Sequence, residues 1–351
     1  VLKIGILLGD DIGLEVVPEA VKVMKAAAAK TGLVIAWSDH AIGKRGHELH
    51  GHTFPQKTID ELNHVDGWLC GPIGHNAYPR NDPTWIMPPV RKRFELYANI
   101  KPVKSYPNIP SVHKNVDIVF LREVTEGFQS SDTVVAGAGE FRPNDEISIG
   151  SRVVTRKGAN RVARAAFEIA RTRTKKRVTS VHKEPTYRLV CGMFAEECRK
   201  VAKEFPDVKF NEVLVDGFAM KVVMNPHQFD VVVTTNQFGD ILTDLGAGIV
   251  GGLGLAPGLV CGERQAMAQA THGSAPDIAG KNIANPYALI MSGQMLLEWL
   301  GRTRNEAKAI EAAALIDRAM AKVIAEQKHL TSDLDGRAST VEMGDAVAAA
   351  L

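Results

Sequence analysis

The stretch Phe229-Asp-Val-Val-Val-Thr-Thr-Asn-Gln-Phe-Gly-Asp-Ile-Leu-Thr-Asp244 decides how the chain is read. Val231, Val232 and Val233 form a short β-branched run between polar residues, which marks a buried strand. After Asn236 and Gly239 the pattern changes to a helical period. Asp240 and Asp244 then sit four apart, a spacing that puts both carboxylates on one face of a helix at its first turns. There they can share a hard divalent cation at the mouth of a cleft. The same two acids also suit an ordinary helix start, one as a cap favoured by the macrodipole and the other solvated. Spacing alone leaves both readings open.

The chain has 351 residues, enough for two domains or one large one, each with its own core. With 42 Lys and Arg against 40 Asp and Glu, the net charge of +2 gives no strong field toward nucleic acid or an anionic membrane. The four cysteines, Cys70, Cys191, Cys198 and Cys261, form no C-x-x-C pair and no disulfide framework, which suits a reducing cytoplasm. The chain opens on the strand-like Leu2 to Leu8 without a basic leader, and no apolar run reaches membrane-spanning length. A soluble cytoplasmic protein with no nucleic-acid or membrane partner is expected.

Working outward, Lys3-Ile-Gly-Ile-Leu-Leu8 reads as a strand entering Gly9-Asp-Asp-Ile-Gly13 and a helix from about Leu14 to Ala29. Amides in such a turn can face a ligand, but the spacing is not G-x-G-x-x-G, and an ordinary tight turn is the better reading from spacing alone. Pro83 to Val90 is apolar and proline-punctuated, a loop or a broken first helical turn. Arg91, Lys92 and Arg93 follow, then Tyr97-Ala-Asn-Ile-Lys101-Pro. Spacing favours a solvated face for this basic cluster, although Arg91, Lys101 and Arg122 can converge on a dicarboxylate, since guanidinium grips carboxylate bidentately.

A strand from Asp117 delivers Arg122 and Glu123 at its end. A hairpin-like excursion through Ile147 to Val154 precedes a helix near Ala159 to Ala170, and the basic run Arg171 to Arg177 reads as solvated at that helix's C-terminus. Another strand ends at Lys183, an amphipathic helix runs through Val201, and a strand at Val213 to Val215 places Asp216 at its tip. Beyond Asp244 come the glycine-rich Gly246 to Gly258, then His272-Gly-Ser-Ala-Pro-Asp-Ile-Ala-Gly280, and Asn285-Pro286 before a helix around Leu289 to Leu300. The last helix, about Asn305 to Gln327, carries an apolar line through Ala309, Ala313, Ile316, Met320 and Val323.

On Gly9-Asp-Asp-Ile-Gly13, Tyr97-Ala-Asn-Ile-Lys-Pro102, Arg122-Glu-Val-Thr-Glu-Gly127, Val181-His-Lys183, Val215-Asp216, Asn236 to Asp244, His272 to Gly280 and Asn285, the chain resembles the isocitrate/isopropylmalate dehydrogenase family. These are the metal-dependent β-decarboxylating dehydrogenases, and the resemblance covers essentially the full length. It implies an α/β, isopropylmalate-dehydrogenase-like fold of two domains, the first discontinuous. Residues 1–98 plus 251–351 form the larger, nucleotide-side domain, and 99–250 the second, with an arm near 132–152 that pairs with a partner subunit. It implies a homodimer with shared active sites, Lys183 and Asp216 crossing the interface.

The resemblance also implies the chemistry: NAD takes hydride from a hydroxylated carbon of a hydroxy-dicarboxylate, carbon dioxide is lost, and an enolate is protonated. Asp216, Asp240 and Asp244 would hold Mg²⁺ or Mn²⁺ as a Lewis acid. Lys183 would be the general base, and Arg91, Lys101 and Arg122 would grip carboxylates. Ile12, His272, Gly273, Ser274, Ala275, Asp277, Ile278 and Asn285 would line the cofactor. Asp277 and Ile278 stand where members selective for NADP carry cations, and a carboxylate there accepts ribose hydroxyls and repels a 2′-phosphate.

Several positions depart from the family pattern. The tyrosine thought to protonate the enolate falls on Gln129, which holds no proton of suitable acidity. The third carboxylate-binding arginine is Lys101, which loses the bidentate fork, and Pro185 replaces an asparagine. Asp11 and Leu14 stand for glycine and proline. Trp85, Ile86 and Met87 in the specificity segment Thr84 to Pro89 suggest an apolar or absent γ-substituent, so a 3-isopropylmalate-like acid is expected over isocitrate. A tartrate- or malate-type dehydrogenase without decarboxylation, and a catalytically weak binding or regulatory subunit, are the alternatives.

Overall fold

The computed structural model describes residues 1–74, 78, 87–128 and 139–351. Strands and helices are numbered in chain order. The Val231 run forms β10 (Val231–Thr234), buried at every residue, so both faces of the sheet must be covered there. Its parallel neighbours are β5 (Asp117–Glu123) and β8 (Arg177–His182), and β8 pairs in parallel with the edge strand β9 (Lys209–Leu214). On the other side β5 pairs antiparallel with β4 (Ala98–Lys104), and β4 with β11 (Leu259–Cys261). Next, β11 pairs antiparallel with β12 (Ala266–Ala268), which lies parallel to β3 (Gly67–Cys70); β1 (Leu2–Leu7) and β2 (Ile35–Asp39) complete the run. The result is one sheet of ten strands.

Helices cover it according to side-chain alternation. Val231 and Val233 pack with Phe167 of α5 (Arg156–Arg171) and Phe194 of α6 (Val190–Ala202). Val232 points the other way, to Phe218 of α7 (Val215–Met224) and Leu242 of α8 (Asn236–Val250). That is why the run is apolar throughout instead of alternating. A separate core joins Val16 and Met24 of α1 (Gly13–Thr31) to Leu297 of α9 (Tyr287–Arg304), Ile316 of α10 (Ala307–Glu326) and Val347 of α11 (Thr340–Ala350). The two ends of the chain therefore share a core. Of the smaller helices α2 (Gly43–His50), α3 (Gln56–Leu62) and α4 (Met87–Arg93), the last two add Leu62 and Val90 to a further core with Leu7, Trp68 and Cys70.

The expected helices at 14–29 and 305–327 appear as α1, closed by Gly32 at φ 67°, and α10, whose apolar line is buried throughout. One expectation changes. Asp216 is not at a strand tip: β9 ends at Leu214 and Asp216 lies in the first turn of α7, because the apolar run Val213 to Val215 continues across the junction. The proline-punctuated segment becomes helical at Met87, with Pro88 and Pro89 in a first turn that needs no N–H donor, while residues 83–86 lie outside the described ones. In the expected arm, residues 132–138 also lie outside them. The rest forms a hairpin of β6 (Glu140–Asn144) and β7 (Ile147–Gly150), exposed at every residue, Phe141, Ile147 and Ile149 included. Among the described residues no helix is long and apolar enough to cross a membrane.

Candidate active site

In the β4–β5 ladder Asn99 stands opposite Arg122, so Asn99, Lys101 and Arg122 share one face, and α8 lies over it. Arg122 donates Nε and Nη2 to Asn236 Oδ1 at 3.0 and 2.6 Å, and its Nη1 pairs with Asp240. Gly239 permits this passage beneath the helix: a Cβ there would stand 2.6 Å from Arg122 Cγ. Lys101 Nζ donates to Thr243 Oγ1 at 3.1 Å. Arg91 turns inward from α4 while Lys92 and Arg93 stay exposed, so the solvated reading holds for two of the three. Its Nη2 donates to Gln269 Oε1 at 3.3 Å, and its Nε is buried without a partner.

These cations are close enough to act on one another. Burial, then the charge of Arg122, pulls the Lys101 ammonium down to about 7. The Arg91 guanidinium falls to about 10 for the same two reasons, and burial lowers Arg122 as well. Desolvation raises the Asp244 carboxyl, with Asp240's charge pushing the same way and Lys101 opposing. A pocket of buried cations, one with an unspent donor, is chemically suited to a dicarboxylate, and Asp240 and Asp244 offer all-oxygen ligands to a hard divalent ion beside it.

Lys183 and Asp216 form a second group. Lys183 Nζ lies 2.5 Å from Asp216 Oδ1, which holds the Asp216 carboxyl below its ordinary range. Asp216 does not join Asp240 and Asp244 in a set of ligand atoms within 4.8 Å of one another. Among the described residues such a set is made by His182, Glu184 and Glu212. Arg199 bonds both of those carboxylates, with Nη1 3.1 Å from Glu184 and Nε 3.0 Å from Glu212, so a guanidinium already occupies them.

Where the sequence leads one to expect the cofactor, the Gly9–Gly13 turn docks against the His272–Gly280 loop: Ile12 N donates to Ser274 O at 3.1 Å, and Gly280 N donates to Glu15. Asp10 anchors the turn by accepting from Lys44 N at 2.7 Å and Gly74 N at 2.9 Å. Asp11 sits at φ 49°, which accounts for the family's glycine there, and Ala275 at φ 43°. His272 Nδ1 lies 3.0 Å from Gly273 O and so carries the proton, leaving Nε2 a buried acceptor without a partner. Burial lowers the His272 imidazole, which keeps that acceptor available. Gly273 and Asp277 are exposed and Ile278 is half-buried. Asn285 caps α9, its Oδ1 accepting from Tyr287 N at 2.9 Å, and its Nδ2 donates to Asp333 at 2.9 Å.

Gln129 and residues 84–86 lie outside the described residues. Sequence reasoning did not single out Thr243, Gln269 or Asn99, whose Oδ1 is buried without a partner. Only Asn99 had a signal, the i, i+2 spacing to Lys101 on one strand face.

The protein-family model described as isocitrate/isopropylmalate dehydrogenase matches residues 3–347. The 3-isopropylmalate dehydrogenase of Archaeoglobus fulgidus is 37% identical over 353 residues, covering 99% of each chain. The isocitrate/homoisocitrate dehydrogenase of Thermus thermophilus is 38% identical over 356 residues, covering 99% of this chain and 98% of that one. The crystal structure of isocitrate dehydrogenase from Methylococcus capsulatus superimposes with a TM-score of 0.88 at 38% identity, covering 100% and 99% of the two chains. With matching sequence motifs, fold and full-length coverage, this chain belongs to the isocitrate/isopropylmalate dehydrogenase family and is a hydroxy-acid dehydrogenase.

Proposed function

We propose that this enzyme uses NAD and a divalent metal to decarboxylate a substituted malate oxidatively, with a 3-isopropylmalate-like acid preferred over isocitrate. The observation that carries the reading is the convergence of half-buried Arg91 with buried Lys101 and Arg122 beside Asp240 and Asp244. The three cations hold and orient the carboxylates of the acid. Met87 lies 3.5 Å from Gln269 Nε2, the same side chain that Arg91 holds, which gives the pocket an apolar wall next to a cation. That wall suits an alkyl γ-substituent better than a third carboxylate.

Lys183 takes the hydroxyl proton as hydride leaves the neighbouring carbon. For this its ammonium must be released from Asp216 and deprotonated. Mg²⁺ or Mn²⁺ held by Asp240, Asp244 and Asp216 of the partner subunit would supply Lewis acidity to the hydroxyl and the enolate. The separation of the Lys183–Asp216 pair from the other acids within one chain supports a homodimer in which each subunit completes the other's site. The wholly exposed β6–β7 hairpin and the exposed Met220, Val223, Met224 and Ile241 on α7 and α8 support the same assembly. Asp277 is exposed, and a carboxylate at that position that accepts ribose hydroxyls would favour NAD over NADP. The division at 98/99 and 250/251 is proposed on the family resemblance; the Val231–Phe167 core supports a second domain, although Tyr106, Ile109 and Val124 pack with the terminal segments, and four buried free cysteines fit a cytoplasmic setting.

A panel of 2-hydroxy acids, followed for NADH and carbon dioxide with metal present, tests the proposal. NADH with carbon dioxide from 3-isopropylmalate is the expected result; NADH without carbon dioxide from every acid, or none at all, overturns it. Gln129→Tyr, which restores the family's proton donor, should increase product formation on the accepted acid, and a loss of every activity would show that glutamine is the functional choice.

A further inference from the structure

Strand alternation gives β5 two chemical faces. Arg122 faces α8 and the substrate cations, whereas the next residue, Glu123, faces α5 and meets Arg161. Arg161 lies in a cleft of about 590 Å³ on that rear side, walled by α5 and α6 on one flank and by Glu95, Tyr97 and Arg264 on the other. This volume is in the range of small-molecule sites. Its walls carry six cations, Arg156, Lys157, Arg161, Arg164, Lys200 and Arg264, against four carboxylates.

The cations differ in how firmly they are held. Arg161 is fixed: its guanidinium stacks 4.4 Å over the Tyr97 ring, and Nη2 donates to Thr125 Oγ1 at 2.5 Å. Its Nε is nonetheless buried without a partner. Arg264 forms no ion pair among the described residues. Lys157 pairs with Glu95 at 3.2 Å, both highly exposed, and Arg164 pairs with Glu204 at 2.8 Å. Exposed pairs of this kind are worth little in water and exchange readily for a ligand that presents several charges at once. A multiply charged phosphate ester or polyphosphate has that valence, and arginine binds its oxygens in forked geometry.

We infer that this rear cleft is a second anion site, which takes a small polyphosphate-bearing ligand between Arg264 on one flank and Lys157, Arg161 and Arg164 on the other. A ligand that spans both flanks would bridge the Tyr97 segment and α5 directly behind the strand that carries Arg122. The inference is independent of which acid the enzyme oxidises.

Inorganic tripolyphosphate is the probe, titrated calorimetrically into the metal-free full-length protein. The expected result is saturable binding at one site per chain, weakened about tenfold for each cation reversed in Lys157→Glu and Arg264→Glu, the cost of one charge-assisted contact. Lys30→Glu, an exposed reversal on α1, should leave it unchanged. Three results overturn the inference: no saturable binding, equal weakening by Lys30→Glu, or binding that survives the rear-cleft reversals and disappears in Lys101→Met, which would place the anion among the substrate cations. Circular dichroism on each variant checks that the fold is retained.

Discussion

In the proposed site, Lys101 is where stability and substrate binding would pull in opposite directions. Its ammonium titrates at about 7 against an ordinary 10.5, and at about 1.4 kcal/mol per pKa unit the charged form costs the ligand-free fold about 5 kcal/mol. The sign follows from proton counts. Below about pH 7 both folded and unfolded states hold the proton, and the whole penalty applies. Between 7 and 10.5 the folded amine is neutral while the unfolded one is charged, so the penalty shrinks as pH rises, to about 2 kcal/mol at pH 9. Lys101→Met keeps the length of the side chain and removes the charge. Thr243 Oγ1 keeps its bond to Asp240 O at 3.1 Å, so little else is disturbed.

Urea denaturation of the ligand-free variant should show a gain of several kcal/mol at pH 6 that falls by about 3 kcal/mol at pH 9. The same variant loses a charge-assisted bond to a substrate carboxylate, about 1.5–3 kcal/mol, so KM should rise roughly tenfold to over a hundredfold. A variant less stable than the parent at pH 6, or a stability gap that does not change with pH, would refute the account of a buried, desolvated lysine. An unchanged KM would refute its contact with substrate.

Asp240→Asn and Asp244→Asn should each abolish metal-dependent turnover with near-native circular dichroism; full activity in excess chelator would remove the metal assignment. Asp277→Lys combined with Ile278→Tyr should relax or reverse a preference for NAD, and equal use of both cofactors by the parent would refute the role of Asp277. Glu126, buried beside Glu123, is pushed up from 4.5 to about 7 although Thr155 donates to it from N at 2.9 Å and Oγ1 at 2.7 Å. The folded state thus holds a proton that the unfolded state has lost, and stability should fall as pH climbs between 4.5 and about 7, by about 3 kcal/mol. Glu126→Gln should flatten that slope, and a parent whose stability is level across this window would contradict it.

Residues whose role follows from short-range periodicity were legible without coordinates. The Val231 run, the helical phase of Asp240 and Asp244, and the apolar line of α10 depend on spacings of two, three and four residues, and they appear as expected. Arg91 was separable from Lys92 and Arg93 only through the family resemblance, because three adjacent cations look alike in spacing until the helix phase decides which one turns inward. Thr243 as the partner of Lys101 depends on a contact between residues 142 positions apart, which no local pattern records. The position of Asp216 was misread for the reverse reason: its apolar neighbours run without interruption from strand into helix. The depressed Lys101 and raised Glu126 are products of burial, which is a property of the packed chain.

The chain passes between its two cores inside the sheet, through β4, β5 and β11, not through a free linker. Either half, detached, would present an unpaired strand edge to water. The halves meet where β11 pairs with β4, and the seven-residue β4–β5 ladder extends that pairing into the sheet, so local opening at this seam is disfavoured. A sheet shared by more than one core favours cooperative unfolding of the whole chain over independent unfolding of either half.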